Sequence, residues 1–125
     1  MCKKETQEVY KLKCYDLQYK VNEEKGVVTA LETFVIPLPG CYYKGRKVFT
    51  TVGVAKVNKE AGEEFNIEIG KRLARAKAEK EAFVKFKYLA LKYRKFLLRK
   101  LQMTDNTIEK MNDCIQHQKG YIKSF

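Results

Sequence analysis

The stretch GKRLARAKAEKEAFVKFKYLALKYRKFLLRKLQ, residues 70–102, decides the fold because its apolar residues and cations recur with the period of an α-helix. Residues 71–100 hold twelve Lys or Arg and two Glu, whereas residues 1–70 hold eleven cations and ten acids. Residues 101–125 hold three of each, and the formal net charge of the chain is +11. Nearly all of the excess positive charge therefore belongs to one predicted helix.

The helical period runs from Ile67 to about Leu101, and only Gly70 interrupts it. Asn66 is a suitable N-cap, and three acids suit the positive end of the helix dipole: Glu63, Glu64 and Glu68. Such a helix is roughly 50 Å long at 1.5 Å per residue, which exceeds what one small domain covers. We therefore expect it to protrude, to kink or to pack against a partner.

One broad sector of this helix is apolar, and we expect that sector to pack against a sheet. It contains Ile69, Leu73, Ala76, Phe83, Val84, Ala90, Leu91, Leu97, Leu98 and Leu101. Beside it lie four small residues, Gly70, Ala74, Ala78 and Ala82, whose spacing permits close backbone approach to the sheet or to another helix. Lys80, Lys87 and Arg94 fall inside the apolar sector. They either extend to solvent, pair with an acid of the sheet such as Glu32, or mark a part of the helix that leaves the core.

A second stripe of the helix is basic. Its members recur at spacings of three and four: Lys77, Glu81, Lys85, Tyr88, Lys92, Lys95 and Arg99. Cations with an occasional aromatic residue are what phosphate neutralisation and base stacking require, although a merely solvated basic face is the ordinary alternative. The predicted nucleic-acid-binding residues are Lys71, Arg72, Arg75, Lys77, Lys85, Tyr88, Lys92, Lys95 and Arg99.

Upstream of the helix, the sequence indicates three strands within residues 9–57. Residues 9–21 alternate in period two but change phase near Cys14, which predicts a bulge or a change of buried face. The turn 22–26 ends in a glycine, and Pro37 and Pro39 end the second strand before the third at 48–57. Residues 105–119 predict a short final helix, with Asp105 or Asn106 as cap and Gly120 as terminator.

The predicted fold class is α+β, with a three-stranded antiparallel meander packed against the long helix 67–101 and followed by the short helix 105–119. At 125 residues the chain suits a single domain, 1–125. No run approaches the ~20 apolar residues of a membrane span, and the first residues lack the apolar core of a signal peptide. We therefore expect no membrane association.

The four cysteines, Cys2, Cys14, Cys41 and Cys114, lack the spacing of a zinc site or a disulfide framework, so we expect reduced, mostly buried thiols and a cytoplasmic protein. The single histidine, His117, lies between two glutamines, and no glycine-rich phosphate loop occurs. We expect neither a catalytic residue nor a metal or cofactor, and the chain is not predicted to be an enzyme.

The stretch GVAKVNKEAGEEFNIEIGKRLARAKAEKEAF, residues 53–83, resembles a pattern shared by small phage and bacterial proteins of unknown function. In that pattern a strand with Gly-x-Ala is followed by a loop closing on an aromatic residue and Asn, then by a helix that opens with Gly and continues Leu-Ala-x-Ala. The family is similar in architecture to double-stranded-RNA-binding domains. The resemblance implies a three-stranded sheet against a C-terminal helix, with Lys71, Arg72 and Arg75 in its basic first turns.

The leading functional hypothesis is a non-catalytic protein, encoded by a phage or mobile element, that binds RNA or DNA through the basic helix. The alternative is an inhibitor that docks on an acidic or RNA-bearing surface of a host defence ribonucleoprotein, such as a CRISPR nuclease. In that case Tyr42, Tyr43 and Phe96 would matter as much as the lysines. A third hypothesis is a homodimer in which the long helix pairs with its twin.

Overall fold

The computed structural model describes residues 7–39, 48–57, 62 and 64–125. These residues form three strands, β1 (Lys13–Asn22), β2 (Val27–Val35) and β3 (Val48–Lys56), and one helix, α1 (Ile67–Lys123). The strands pair antiparallel in the order β1-β2-β3, and small residues of α1 pack on the sheet. The prediction of an α+β fold with a three-stranded antiparallel meander and a long basic helix is confirmed.

The chain divides into two compact units, Met1–Ala90 and Leu91–Phe125. The first contains the sheet and the part of α1 that covers it, and the second is helical from Leu91 to Lys123. The single-domain organisation stays a prediction. The described part of the chain contains no helix with the length and hydropathy of a membrane span.

The strand predictions from local chemistry are confirmed. The register between β1 and β2 shifts between Cys14 and Asp16, where the alternation changes phase. Gly26 ends the β1–β2 turn with a φ of 64°, a conformation that glycine adopts without a steric penalty. The second strand ends at Val35, two residues before the first proline.

The core of the first unit lies between the inner face of the sheet and the small residues of α1. Val28, Ala30 and Ala55 pack against Ala74 and Ala78. A second cluster joins Phe34 and Phe49, whose ring centroids are 5.7 Å apart, to Ala82. The strip of small residues is thus the surface that packs on the sheet.

Gly53 allows this close packing at the centre of β3. A Cβ added there would overlap the carbonyl oxygen of Ala74 and lie 2.6 Å from the backbone nitrogen of Ala78. Next to it, the buried Thr51 hydroxyl donates a hydrogen bond of 2.8 Å to the Ala78 carbonyl oxygen. The helix backbone itself therefore contacts the sheet at Gly53 and Thr51, which leaves no room there for larger helix side chains.

The prediction that the broad apolar sector packs against the sheet is wrong. Ile69, Leu73, Phe83 and Val84 are 46% to 61% exposed. Lys80 and Lys87, which lie in the same sector, are also exposed, and Lys80 is 3.7 Å from Glu81 rather than paired with an acid of the sheet. The small residues displace this sector from the core because they permit a closer helix–sheet approach than Leu or Phe would.

The prediction of a separate short helix at 105–119 is also wrong, because α1 continues without interruption to Lys123. Thr104 and Thr107 donate their hydroxyl hydrogens to the carbonyl oxygens of Lys100 and Met103, each at 2.8 Å. These bonds run back to the residue four positions earlier, as in a helix interior, rather than forward as in an N-cap. Neither Asp105 nor Asn106 caps a helix, and Gly120 does not end one.

The expectation of mostly buried cysteines is wrong for the two cysteines that the structure describes. Cys14 and Cys114 are free and exposed. Cys2 and Cys41 lie outside the described residues.

Candidate nucleic-acid interface

The N-terminus of α1 is formed as the sequence predicts. The Asn66 side-chain oxygen accepts a hydrogen bond from the Ile69 backbone N–H at 3.1 Å, and the Asn66 carbonyl oxygen accepts one from Gly70 at 2.9 Å. This cap starts the helix immediately before the first basic turn, which contains Lys71, Arg72 and Arg75. Glu63, predicted to help here, lies outside the described residues.

Arg75, predicted to bind nucleic acid, has two acidic neighbours in the structure. Its Nε lies 3.7 Å from an oxygen of Glu32 on β2 and 3.4 Å from an oxygen of Glu79 one helical turn later. The Glu32 side chain is fully buried at the inward position between Ala30 and Phe34. Arg75 therefore compensates a charge of the sheet, so it is a weak candidate for a phosphate contact.

Glu32 is the most unusual group of the sheet–helix interface. Within the described part of the chain, neither of its carboxyl oxygens accepts a hydrogen bond of ordinary geometry, and burial raises its pKa above the ordinary value of 4.5. The neighbouring Cys14 thiol and the Arg75 guanidinium act against this rise in pKa, and the Glu79 carboxylate adds to it. From the sequence, Glu32 was considered only as a possible partner for a cation of the apolar sector. In the structure the cation beside it is Arg75.

Three predicted lysines of the first unit extend over the sheet, on two sides of the helix. The Lys71 amine lies 5.4 Å from the ring centroid of Tyr19 on β1. Lys77 donates a hydrogen bond of 3.0 Å to the Val54 carbonyl oxygen of β3, and the Lys85 amine lies 5.2 Å from the Phe49 ring centroid, also on β3. The predicted residues therefore do not form one continuous face in this unit. Lys77 and Lys85 line the β3 side.

The other predicted residues are exposed on the helix. Arg72 and Tyr88 are exposed in the first unit, and Lys92, Lys95 and Arg99 are exposed in the second. The last three recur at spacings of three and four, so their Cβ atoms are about 5–6 Å apart along one face of the helix.

The helix also contains a segment without acids. Between residues 82 and 104 there is no Asp or Glu, and this acid-free segment carries seven cations: Lys85, Lys87, Lys92, Arg94, Lys95, Arg99 and Lys100. All seven are exposed. Lys87, Arg94 and Lys100 were not among the predicted site residues, because Lys87 and Arg94 were assigned to the packing sector and Lys100 lies outside the basic stripe. The Lys100 amine lies 5.4 Å from the Phe96 ring centroid.

Of the aromatic residues expected to anchor a protein partner, Phe96 is half-buried and stacks on Tyr93 at 6.2 Å between centroids. Tyr42 and Tyr43 lie outside the described residues. Within the described part of the chain, no three His, Cys, Asp or Glu side chains come together as a metal-binding group.

Comparison of the chain with protein-family models, with curated proteins and with solved structures finds no match. The resemblance of residues 53–83 to the phage and bacterial family stays a prediction. The class of protein that the fold defines is a small α+β protein with a three-stranded antiparallel sheet and one long basic helix.

Proposed function

We propose that this protein is a non-catalytic nucleic-acid-binding protein, and that the acid-free segment of α1 contacts phosphates. The observation that carries the proposal is the exposure of all seven cations in residues 82–104, with no acid among them. An ordinary solvated helix alternates Glu and Lys at i and i+4, because those pairs stabilise it. A helix without acids lacks this stabilisation. Its exposed cations remain available to an anionic partner, and we take this as support for nucleic-acid binding.

The exposed cations Lys92, Lys95 and Arg99 are the strongest candidates for phosphate contacts. All three are exposed and lie in the acid-free segment, whereas Arg75 is paired with Glu32 and Glu79. Lys77 and Lys85 are secondary candidates, because their amines already contact β3. Tyr88, which is 61% exposed, provides a ring on which a base could stack.

Such contacts are directed to the backbone of the nucleic acid, so binding should be salt-dependent and weakly selective for sequence. Whether the target is RNA or DNA, and duplex or single strand, is decided by comparing the four ligands directly. A fold of the double-stranded-RNA-binding type would favour duplex RNA in that comparison.

The decisive experiment compares two triple variants of equal charge by fluorescence anisotropy with labelled RNA and DNA over a series of salt concentrations. One carries Lys92→Ala, Lys95→Ala and Arg99→Ala. The matched control carries Lys110→Ala, Lys119→Ala and Lys123→Ala, which remove three exposed cations from the C-terminal part of the same helix. We expect the first variant to lose at least ~10-fold in affinity and about 2–3 units of the slope of log K against log salt.

The control should remain within about threefold of the wild type, because long-range charge alone is largely screened at physiological salt. Equal losses in the two variants would mean that only net charge matters, and the site assignment would then be wrong. If the wild type binds none of the four ligands even at low salt, the nucleic-acid function itself is refuted.

That last outcome would turn attention to the second candidate function, an inhibitor that docks on a host defence ribonucleoprotein. The exposed apolar side chains of the first unit favour a protein contact: Ile69, Leu73, Phe83 and Val84. Co-purification with a defined nuclease complex and inhibition of its cleavage would then be the assay.

A further inference from the structure

The C-terminal part of α1 exposes a regular apolar seam. Every residue from Leu101 to Phe125 is exposed, including Leu101, Ile108, Met111, Ile115 and Ile122 at 48% to 67%. A single helix without tertiary contacts is marginally stable in water, and burial of an apolar face supplies most of the stability of helices in proteins. A covering partner is therefore required for this segment.

The spacing of the apolar residues defines what can cover them. From Leu97 onward, alternating steps of four and three residues give a heptad repeat. The a positions are occupied by Leu101, Ile108, Ile115 and Ile122, and the d positions by Leu97, Thr104, Met111 and Gln118. Such a repeat keeps one seam of the helix facing a second helix throughout its length.

We propose that residues 97–122 pair with the same residues of a second copy of this chain, as a parallel two-stranded coiled coil. A symmetric pair uses the same surface twice, so this seam needs no other partner to be buried. Ile at three of the four a positions, without Ile at any d position, favours two strands over three or four.

Charge complementarity supports the parallel arrangement in register. Lys100 occupies a g position and Asp105 the following e position, and in a parallel pair each g residue faces the e residue five positions later on its partner. Two Lys–Asp pairs would therefore form per dimer. The remaining e and g residues between Thr107 and Lys119 place no two like charges opposite each other in this register.

The repeat also indicates where the coiled coil begins. One heptad earlier, the a position is Arg94, so a parallel pair would place two guanidinium groups opposite each other. The apolar seam therefore starts at Leu97. The cations proposed to contact phosphates remain accessible in this pair, because Lys92, Lys95 and Arg99 occupy the outward f, b and f positions.

The test is the oligomeric state of the full chain, measured by sedimentation equilibrium between about 1 and 100 μM. The wild type should have twice the 14.6 kDa mass of one chain. Ile108→Lys with Ile115→Lys should raise the dissociation constant at least ~100-fold, because each chain would place two cations in the buried seam. The control, Asn106→Lys with Gln116→Lys, adds the same charge at the outward f and b positions and should stay dimeric.

A charge exchange separates the parallel pair from other arrangements. Lys100→Asp alone and Asp105→Lys alone should each weaken the dimer, and the two together should restore the wild-type dissociation constant. Residues 100 and 105 are 140° apart on one helix and do not meet there, so restoration can arise only between helices.

A monomeric wild type at the highest concentration overturns the dimer. A dimer that survives the two Ile→Lys changes overturns the seam, and failure of the double exchange to restore affinity overturns the parallel register.

Discussion

Two segments of the same helix differ in how far their side chains are exposed to solvent. In residues 70–82, Ala74, Ala78 and Ala82 are buried against the sheet while larger apolar neighbours are exposed. In residues 101–125 every side chain is exposed. The first segment is therefore positioned by close approach of its backbone to the sheet, whereas the second segment buries no side chain. The difference shows that side-chain size, rather than apolar character alone, decides which face of this helix is buried.

The largest effect should come from Gly53→Ala, which tests the close approach of the first segment. The added Cβ would collide with backbone atoms of Ala74 and Ala78, and neither can rotate away as a side chain could. We expect the free energy of unfolding to fall by about 3 kcal/mol or more. Urea unfolding followed by circular dichroism measures it.

Val54→Ala is the matched control for this change, because Val54 is the next residue of β3 and is 40% exposed. It should cost less than about 1 kcal/mol. A Gly53→Ala protein that is as stable as this control would contradict the helix–sheet contact.

An intermediate effect is expected from Glu32→Gln, which removes the buried charge of the same interface. Because the pKa of Glu32 is raised in the folded protein, stability is greatest below its ordinary pKa of 4.5 and is lost as pH rises through the folded pKa. Glutamine cannot ionise, so the variant should be more stable than the wild type by about 1 kcal/mol near pH 8.

The advantage of Glu32→Gln should disappear as pH falls below 4.5, where the wild-type carboxyl is protonated in both states. Unfolding in urea at several pH values measures both limits. Glu109→Gln makes the same chemical change on an exposed side chain and should leave the curve unchanged. A destabilised Glu32→Gln protein at pH 8 would mean that the ion pair with Arg75 outweighs the cost of burial.

The smallest effect should come from Gly120→Ala in the second segment. Apart from its chain neighbours and the backbone of its own helix, no atom of the described residues lies within 4 Å of a Cβ added there, so the substitution meets open space and gains helix propensity. We expect the helix to be stabilised by about 0.5–1 kcal/mol, seen as a higher midpoint in thermal unfolding. A loss of stability would show that this segment is not helical in solution or that its outer side is covered.

Local chemistry made much of the fold predictable. The phase change near Cys14, the glycine at the end of the β1–β2 turn and the Asn66 cap all depend on neighbours within four residues, and all three are confirmed. The continuation of α1 beyond Leu101 was missed, because Asp105 and Asn106 are common capping residues. The sequence does not reveal that the Asn106 side chain instead accepts a hydrogen bond from the Gln102 side chain within the helix.

The candidate site was predictable in its charge but not in its geometry. The sequence located the cations on one helix, but it treated Arg75 as equivalent to Lys92 and Lys95. The sheet distinguishes them, because the buried Glu32 of β2 lies beside Arg75. No spacing rule within the helix could indicate that pairing, since it joins residues 43 positions apart in the chain.

The sequence by itself determined the strands, the start of the helix and the concentration of positive charge, because those properties arise from short-range periodicity and composition. Only the tertiary structure decided which helix face is buried and which cation is paired. The apolar periodicity of the sequence identifies every helix face that could be buried. Gly53 of the sheet determines which of these faces is buried in the folded protein. It allows the backbone of α1 to approach the sheet along the small residues, so Leu73 and Phe83 remain exposed.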